Sequence, residues 1–355
     1  MEELREDPAE IGKLIGFPTV HKAYLVDRTY GTRTVRCGVC RQACEIPEGQ
    51  TGFCRTRLNI GGELQTLTYG DVIACESRPV EIKPFFHFHP GASMMTICGP
   101  SCNLRCPWCQ NHRLSRAAPR PLKAERVQML DVIEAARAAG DIGVCVSFTE
   151  PLMLFEYCLG LFREAAARGM VSSFVSNGYM TGEALLMLAR AGLNAMKVDI
   201  NGSDRVYREY CGGKHGDRPA WETVQGALDL GVHVEVVHLV VTGLNDNEQD
   251  FLEICRKHLE YAAPDVPLHL TTYHPAFEYQ EQPTSVDFLE WAYFAARRAG
   301  LLFPYLGNVP GHALANTYCP QCGELLLERS VSKLERDLTD RFNCRECGYS
   351  LPIVS

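Results

Sequence analysis

Nowhere in the 355 residues is there an uninterrupted apolar run of about 18, the length a membrane-spanning helix needs. The chain opens on Met1-Glu2-Glu3-Leu4-Arg5-Glu6-Asp7, without the basic start and apolar core of a secretion signal, so no membrane partner and a cytoplasmic location are expected. A basic excess is missing as well. The formal net charge of −8 and a pI near 5.8 argue against wholesale binding of nucleic acid. The one local basic run, Arg113, Arg116, Arg120, Lys123 and Arg126, reads as a solvated face. The low apolar content of a disordered chain is absent too: hydrophobic residues make up 46%, enough for a sizeable core.

What the chain has in quantity is cysteine, 17 residues of it. In a secreted protein that number would mean disulfides. Here the cysteines are bunched at C-x2-C spacing without a signal sequence, and metal ligation is the better account.

The stretch Cys102-Asn103-Leu104-Arg105-Cys106-Pro107-Trp108-Cys109 organises the rest. It sets three thiols on a segment that Pro107 keeps from being regular helix. Thiolates hold zinc and iron–sulfur clusters, and a fully ligated [4Fe-4S] cluster takes four of them. A local set of three leaves one iron open for an outside ligand. Three unrelated cysteines, or a zinc knuckle completed by a distant residue, are the alternatives.

Cys37, Cys40, Cys44 and Cys54 form an earlier group within 18 residues, broken by turns at Pro47-Glu48-Gly49 and Gly52. A closed four-thiolate site is expected; zinc and a second iron–sulfur cluster both fit, with zinc the first choice. Residues 59–89 alternate apolar and polar, as short antiparallel strands do. His87 and His89 lie among phenylalanines and read as packing residues.

After Gly91 the pattern becomes strand, loop, helix, repeated. Strands are predicted over 93–98, 142–148, 171–176, 195–200, 232–240, 267–272 and 302–305. Helices are predicted over 125–139, 152–168, 182–191 and 221–230, then after Asn245-Asp246-Asn247-Glu248 and after Thr284-Ser285-Val286-Asp287. Val127, Leu130, Ile133 and Ala136 form the inner stripe of the first helix. Phe251, Leu252, Ile254, Cys255 and Leu259 form that of the fifth. Such alternation implies an α/β fold with parallel strands and outer helices, a partial (β/α)6 TIM-like barrel. A small N-terminal cysteine-rich module over 1–90 and a C-terminal zinc ribbon over 313–355 flank the barrel segment 91–312.

In such a barrel chemistry gathers at the C-terminal strand ends. Here those ends are polar although the strands are apolar: the cysteine loop after Cys98, then Ser147-Phe148-Thr149-Glu150-Pro151, Ser176-Asn177-Gly178, and Lys197-Val198-Asp199. Lys197 and Asp199 share one strand face. His233 and Glu235 share a face of the next strand; His233 reads as a stabilising plug, and Glu235 as able to reach the cavity. Cys211, in Tyr210-Cys211-Gly212-Gly213, falls on a loop at the same end. Cys211 and Lys197 are the candidates for a catalytic role. Cys75, Cys145, Cys158 and Cys255 read as small core residues.

The C-x3-C-x2-C loop, with an aromatic before its last cysteine, resembles the signature of radical S-adenosylmethionine (SAM) enzymes. In those enzymes the open iron chelates SAM, and the reduced cluster cleaves it to a 5′-deoxyadenosyl radical that takes hydrogen from a substrate. The resemblance makes Cys102, Cys106 and Cys109 the [4Fe-4S] ligands and sets Glu150, Ser176, Asn177 and Asp199 at the cofactor; Trp108, before the last cysteine, and Glu235, on its strand face, complete the expected cofactor-binding set. Phe148-Thr149-Glu150-Pro151 resembles a Gly-Gly-Glu-Pro motif that holds the methionyl amino group. Ser176-Asn177-Gly178 is similar to a Thr-Asn-Gly element that meets carboxylate and ribose. Asp199-Ile200-Asn201 stands in the place of an Asp-Leu-Lys motif and departs from it at Asn201.

The longer segments CGVCRQACEIPEGQTGFCRTR, IKPFFHFHPG, CNLRCPWCQN, NGYMT, YREYCGG, VTGLND and GNVPGHALANTYCPQCG resemble the radical SAM component of the AmmeMemoRadiSam system, related to pyruvate formate-lyase activase-like proteins. That implies a reductant protein such as flavodoxin or ferredoxin, and Memo-like and AMME-type partner proteins. It names no substrate.

Cys319-Pro-Gln-Cys322-Gly and Cys344-Arg-Glu-Cys347-Gly make two knuckles, the pattern of a structural zinc ribbon, with a rubredoxin-like iron site as runner-up. The charged stretch 324–341 between them is expected to face solvent, and His312 to face the barrel mouth. The leading function is a radical SAM oxidoreductase on an unidentified substrate. Its rivals are an activase that installs a glycyl radical on a protein partner and a metal-stabilised scaffold without catalysis. A cobalamin-dependent methyltransferase is disfavoured, since no spare domain of about 100 residues remains for the corrin.

Overall fold

A computed structural model describes residues 12–28, 32–330 and 332–355. The chain divides into two compact units. One holds residues up to Ser77, Met95–Arg105 and Cys109–Leu193; the other holds Arg78–Met94, Cys106–Trp108 and Asn194–Ser355. Among the described residues no helix is long and apolar enough to cross a membrane.

The first unit begins with short antiparallel strands: β1 His21–Lys22, β2 Val26–Arg28, β3 Val35–Cys37, β4 Glu45–Ile46, β5 Arg57–Ile60 and β6 Glu63–Thr66. They make two small sheets, ordered β1-β6-β5 and β2-β3-β4. The alternation after Asn59 was a sound guide to the β5–β6 hairpin. Next come β7 Ala74–Pro79, β8 Ser93–Cys98, β9 Gly143–Val146 and β10 Val171–Ser176, neighbours in that order. β8, β9 and β10 are parallel, with Met95 opposite Val144 and Val171 opposite Gly143. The helices α1 His112–Ser115, α2 Met129–Ala139, α3 Phe155–Ala166 and α4 Gly182–Ala191 connect and follow them. α4 starts on Thr181, whose hydroxyl accepts from the Ala184 amide at 3.2 Å.

The second unit repeats the scheme. Its parallel strands are β11 Ala195–Ile200, β12 His233–Val240, β13 Leu268–Thr272 and β14 Pro304–Gly307, in that order. Its helices are α5 Asp204–Val206, α6 Arg218–Asp229, α7 Glu248–Tyr261 and α8 Val286–Ala299, and a π-helical turn covers Tyr207–Cys211. Three antiparallel strands close the chain: β15 Thr317–Tyr318, β16 Leu325–Arg329 and β17 Leu334–Asp337. Both units are therefore α/β, built on mostly parallel sheet.

Several expectations about individual residues give way. Leu130 is exposed, and Val132, Ile133 and Ala136 form the buried face of α2, which begins only at Met129. Leu252 is exposed and Leu259 half-buried, while His258 turns inward on α7. Cys75 is exposed on β7; Cys145, Cys158 and Cys255 are buried. Within the charged stretch 324–341, β16 buries Leu326, Leu327 and Arg329, with both of its faces partly covered. Of the four residues expected to cap α7, Asn247 does so, accepting from Asp250 at 3.0 Å. Asn245 is buried and fastens the loop: it accepts from Val241 N at 2.6 Å and donates to the carbonyls of Asn201 and Leu239, each at 3.1 Å.

Candidate active site and metal centres

In the first unit three segments meet. Ser101 enters the cysteine loop with φ 77°, a left-handed turn uncommon for a residue with a side chain. Leu104 N then donates to Cys102 Sγ at 3.4 Å. The Asn177 side-chain amide lies 3.6 Å from the same sulfur and donates to Asn103 Oδ1 at 2.8 Å. N–H groups aimed at a sulfur suit a thiolate ligand. Cys109 Sγ sits 3.3 Å from Ser115 Oγ, and both Cys102 and Cys109 are partly exposed.

Glu150 is the third piece. Its carboxylate accepts from Ser176 Oγ at 3.0 Å, Asn177 N at 2.9 Å and Leu152 N at 3.2 Å, and only 4% of the residue is exposed. The ends of β9 and β10 are thus tied by one carboxylate. Phe148, where the resembled motif has glycine, adopts φ 66°, and its carbonyl accepts from Asn111 Nδ2 at 2.7 Å. A side chain in that region stores strain of about 1–3 kcal/mol, which a fixed polar setting must hold.

The N-terminal cysteine module is fastened to the same elements. Gln42 Nε2 donates to Asn103 O at 2.9 Å, Arg41 N to Tyr179 O at 3.1 Å, and Thr181 Oγ1 to Gly38 O at 2.7 Å. Ser101 Oγ donates to Cys54 O, Arg55 to the Arg116 carbonyl, and Arg105 to Phe53 O at 2.7 Å. Below the module the buried pair Arg57–Glu156, at 2.7 Å, lies close to Cys37 and Cys54. Burial pushes the Cys37 thiol up to about 11, against the opposing pull of Arg57.

In the second unit Trp108 is 3% exposed, with its ring 6.3 Å from Tyr210 and 6.0 Å from Tyr279, and Pro107 O accepts from Glu278 N at 2.9 Å. Cys106 belongs to this unit and is partly exposed. Lys197 and Asp199 pair on the shared face of β11, with Lys197 nearly covered and the Asp199 side chain 35% exposed. Tyr207, inside the π-helical turn, donates to Asp199 O at 3.2 Å and accepts from Asn201 N at 3.3 Å. Cys211 is fully buried at the end of that turn.

Glu235 does not reach out as expected. It is fully buried, and its oxygens accept from Phe86 N and His87 N at 2.8 Å, from His269 Nε2 at 2.7 Å and from His233 Nε2 at 3.1 Å. Burial alone would raise its pKa, but the hydrogen bonds from His233 and His269 hold it well below the usual carboxylate range. Next to it Arg329 reaches Phe86 O at 3.0 Å and Thr317 Oγ1 at 2.7 Å. His312 pairs with Glu290 at 2.9 Å and caps residues 313–315.

The C-terminal knuckles converge. The thiols of Cys319, Cys322, Cys344 and Cys347 all lie within 4.8 Å of one another, with Cys319–Cys347 at 3.5 Å and Cys322–Cys344 at 3.6 Å. The two knuckles are alike in detail. Cys319 N donates to Glu324 O and Cys344 N to Tyr349 O, both at 2.8 Å, while Gly323 N and Gly348 N return to the carbonyls of Cys319 and Cys344. A tetrahedral ion with bonds of about 2.3 Å sets its sulfurs about 3.8 Å apart, which this group satisfies. Among the described residues it is the one group so tight.

The hydrogen-bonding roles of Asn103, Tyr207 and Asn245 are not visible in the sequence, where Asn245 reads as a helix cap and Tyr207 as part of the YREYCGG segment. Asn103 lay within the cysteine motif, but nothing in the text of a chain says that an amide will bridge two loops.

Residues 96–257 match the family model described as the Radical SAM superfamily. Uncharacterized protein MJ0808 of Methanocaldococcus jannaschii is 35% identical over 323 residues, 90% of this chain and 96% of that protein. The chain belongs to the same family as MJ0808, and its residues 96–257 carry the Radical SAM match. A GTP 3′,8-cyclase of Pelotomaculum thermopropionicum is 28% identical over 153 residues, 41% of this chain and 46% of the cyclase. Among solved structures, a domain of pyruvate-formate lyase-activating enzyme from Bacteroides vulgatus is 13% identical, covering 46% of this chain and 98% of that one, with a TM-score of 0.40. The radical SAM domain implies SAM and an iron–sulfur cluster.

Proposed function

We propose that this radical SAM protein is an oxidoreductase that takes hydrogen from a substrate the sequence does not name. Cys102, Cys106 and Cys109 would hold a [4Fe-4S] cluster, which with SAM at its open iron supplies a 5′-deoxyadenosyl radical. The observation that carries the reading is the junction of Cys102, Asn177 and Glu150: one amide spans from the cluster loop to the end of β10, and one carboxylate ties β10 to β9.

The chain's own residues do the positioning. The Glu150 carboxylate, held by donation from Ser176 Oγ and Asn177 N, is suited to accept from an ammonium group. Trp108 backs the loop against Tyr210 and Tyr279. Lys197 and Asp199 give the second unit a polar strand end able to orient cofactor or substrate. Glu235, closed in by four donors, is withdrawn from the cofactor set and becomes an internal brace; Cys211, wholly covered, serves as hydrogen donor only if the turn opens.

The parallel strands are read as a partial (β/α)6 barrel, the C-terminal knuckles as a zinc ribbon, and the setting as a cytoplasmic AmmeMemoRadiSam system. Its partners there are Memo-like and AMME-type proteins and a flavodoxin- or ferredoxin-type reductant. No observation favours a glycyl-radical activase over this reading.

The test is 5′-deoxyadenosine formation by anaerobically reconstituted protein with reductant and SAM, beside the Cys102→Ala/Cys106→Ala/Cys109→Ala variant. Cleavage by the first and none by the second supports the reading. A loaded cluster with no cleavage rejects it and leaves a scaffold.

A further inference from the structure

We propose that Arg55, Arg105 and Arg116 form a cationic clasp that raises the reduction potential of the iron site at Cys102 and Cys109, so that the three are positioning residues for electron uptake. The inference rests on the radical SAM reading for the cluster and goes beyond it in assigning what sets its potential.

The clasp is closed by hydrogen bonds between three stretches of chain. Arg55 donates to the Arg116 carbonyl, Arg116 Nη1 to Leu104 O at 3.4 Å, and Arg105 Nη2 to Phe53 O at 2.7 Å. Each guanidinium thus lands on the backbone of a stretch that carries another of the three. The Arg105 guanidinium carbon also stands 4.7 Å from the Phe53 ring centroid, within cation–π range. All three arginines are half-buried.

The same stretches meet the sulfurs. Leu104, whose carbonyl takes Arg116, gives its own N–H to Cys102 Sγ at 3.4 Å. Ser115, the residue before Arg116, has its hydroxyl 3.3 Å from Cys109 Sγ. Ser101 Oγ donates to Cys54 O, which brings Arg55 to the entrance of the loop. Positive charge therefore sits on the residues adjoining those that touch the two thiols.

Carbonyl oxygens are dipoles, so these bonds fix the guanidiniums without cancelling their charge. Three crowded cations are costly by themselves. Burial first, then Arg55 and Arg116, hold Arg105 below the ordinary arginine range, while Cys102 and Cys54 pull the other way. A thiolate-bound cluster offsets that cost. With three thiolates it is already an anion, and the one electron it takes from a low-potential one-electron donor adds a further negative charge, with no proton or atom transferred. Cations in a part-buried setting favour that reduced state over the oxidised one, and so raise the potential. Arginine suits the task, because its planar fork is held in fixed geometry and stays charged where a lysine shifts readily.

The experiment uses the full chain, reconstituted anaerobically, as wild type, Arg105→Gln, Arg116→Gln and Arg105→Lys. Iron is counted, and the midpoint potential is read by electron paramagnetic resonance from the reduced-cluster signal that Cys102→Ala/Cys106→Ala/Cys109→Ala lacks. Both glutamine variants should load iron as wild type does and move the midpoint down by at least about 59 mV, a tenfold fall in the ratio of reduced to oxidised cluster at a fixed potential. Arg105→Lys, which keeps the charge and loses the fork, should change that ratio by less than about threefold.

Iron-loaded glutamine variants at the wild-type midpoint overturn the proposal. A fall in Arg105→Lys as large as in Arg105→Gln overturns it too, because the clasp then acts by holding the loop and not by its charge. Should neither glutamine variant take up iron, Arg55→Gln, whose partner carbonyl at Arg116 lies outside the cysteine loop, carries the same expectation and the same refutation. A wild type that binds no iron at these cysteines rejects the radical SAM reading itself, whereas a cluster with an unmoved midpoint rejects the clasp alone.

Discussion

Asn177 donates its side-chain amide to Asn103 Oδ1 at 2.8 Å while lying 3.6 Å from Cys102 Sγ, so the end of β10 and the first cysteine of the loop are held as one piece. Asn177→Ala should keep iron loading but lower SAM cleavage roughly ten- to a hundredfold, the usual effect of losing a group that orients a metal ligand. Iron content and 5′-deoxyadenosine yield, measured together, separate this from loss of the cluster.

Gly143 carries a prediction of a different kind. A Cβ at that position would lie 1.9 Å from the Val171 carbonyl oxygen, so β9 and β10 pair only because the residue has no side chain. Gly143→Ala must part the two strands whose ends bring Glu150 to Ser176. A loss of more than about 3 kcal/mol is expected, together with loss of SAM binding. Wild-type stability in denaturant titrations would refute the strand contact.

The three strands 93–98, 171–176 and 195–200 and the helix 182–191 were legible to the residue, because apolar runs between turn residues leave little choice of boundary. The polar strand ends were legible too. What could not be read was direction in three dimensions. Glu235 and Lys197 look alike in sequence, each a charged residue alternating with apolar ones, yet one is sealed by the Phe86 and His87 amides and the other pairs with a part-exposed Asp199. Those amides come from about 150 residues away, and no local pattern records them. Arg329 was likewise hidden inside a stretch whose average charge says solvent.

Acid should destabilise the protein before its carboxylates titrate. Burial lowers His87 to about 3 and both His238 and His258 to about 4, and it lowers His269 as well. These imidazoles are neutral when folded, whereas unfolded they take up protons near pH 6.5. The unfolded chain therefore binds more protons between about pH 6.5 and 4, and stability falls as pH falls through that window. Glu235, with its pKa depressed, adds a loss only at still lower pH. From pH 7 to 5 the cost is on the order of 2 kcal/mol for each of His87, His238 and His258. Denaturant midpoints across that range check it, and His258→Asn should flatten the slope.

If Cys319, Cys322, Cys344 and Cys347 hold a metal ion, removing it should act on one side of Phe86 and not on the other. The ribbon residues Leu326, Leu327 and Leu351 share a buried cluster with Phe86, Phe303 and Tyr305, and Arg329 on β16 bonds Phe86 O and Thr317. With the ion chelated, the four thiols no longer hold the knuckles together, and β15 and β16 should lose amide protection in hydrogen exchange. The Phe86 and His87 amides are fixed by Glu235, which His233 and His269 hold independently of the ribbon. They should stay protected. If they exchange as fast as the ribbon strands, the brace depends on the metal, and Glu235 does not anchor this segment on its own.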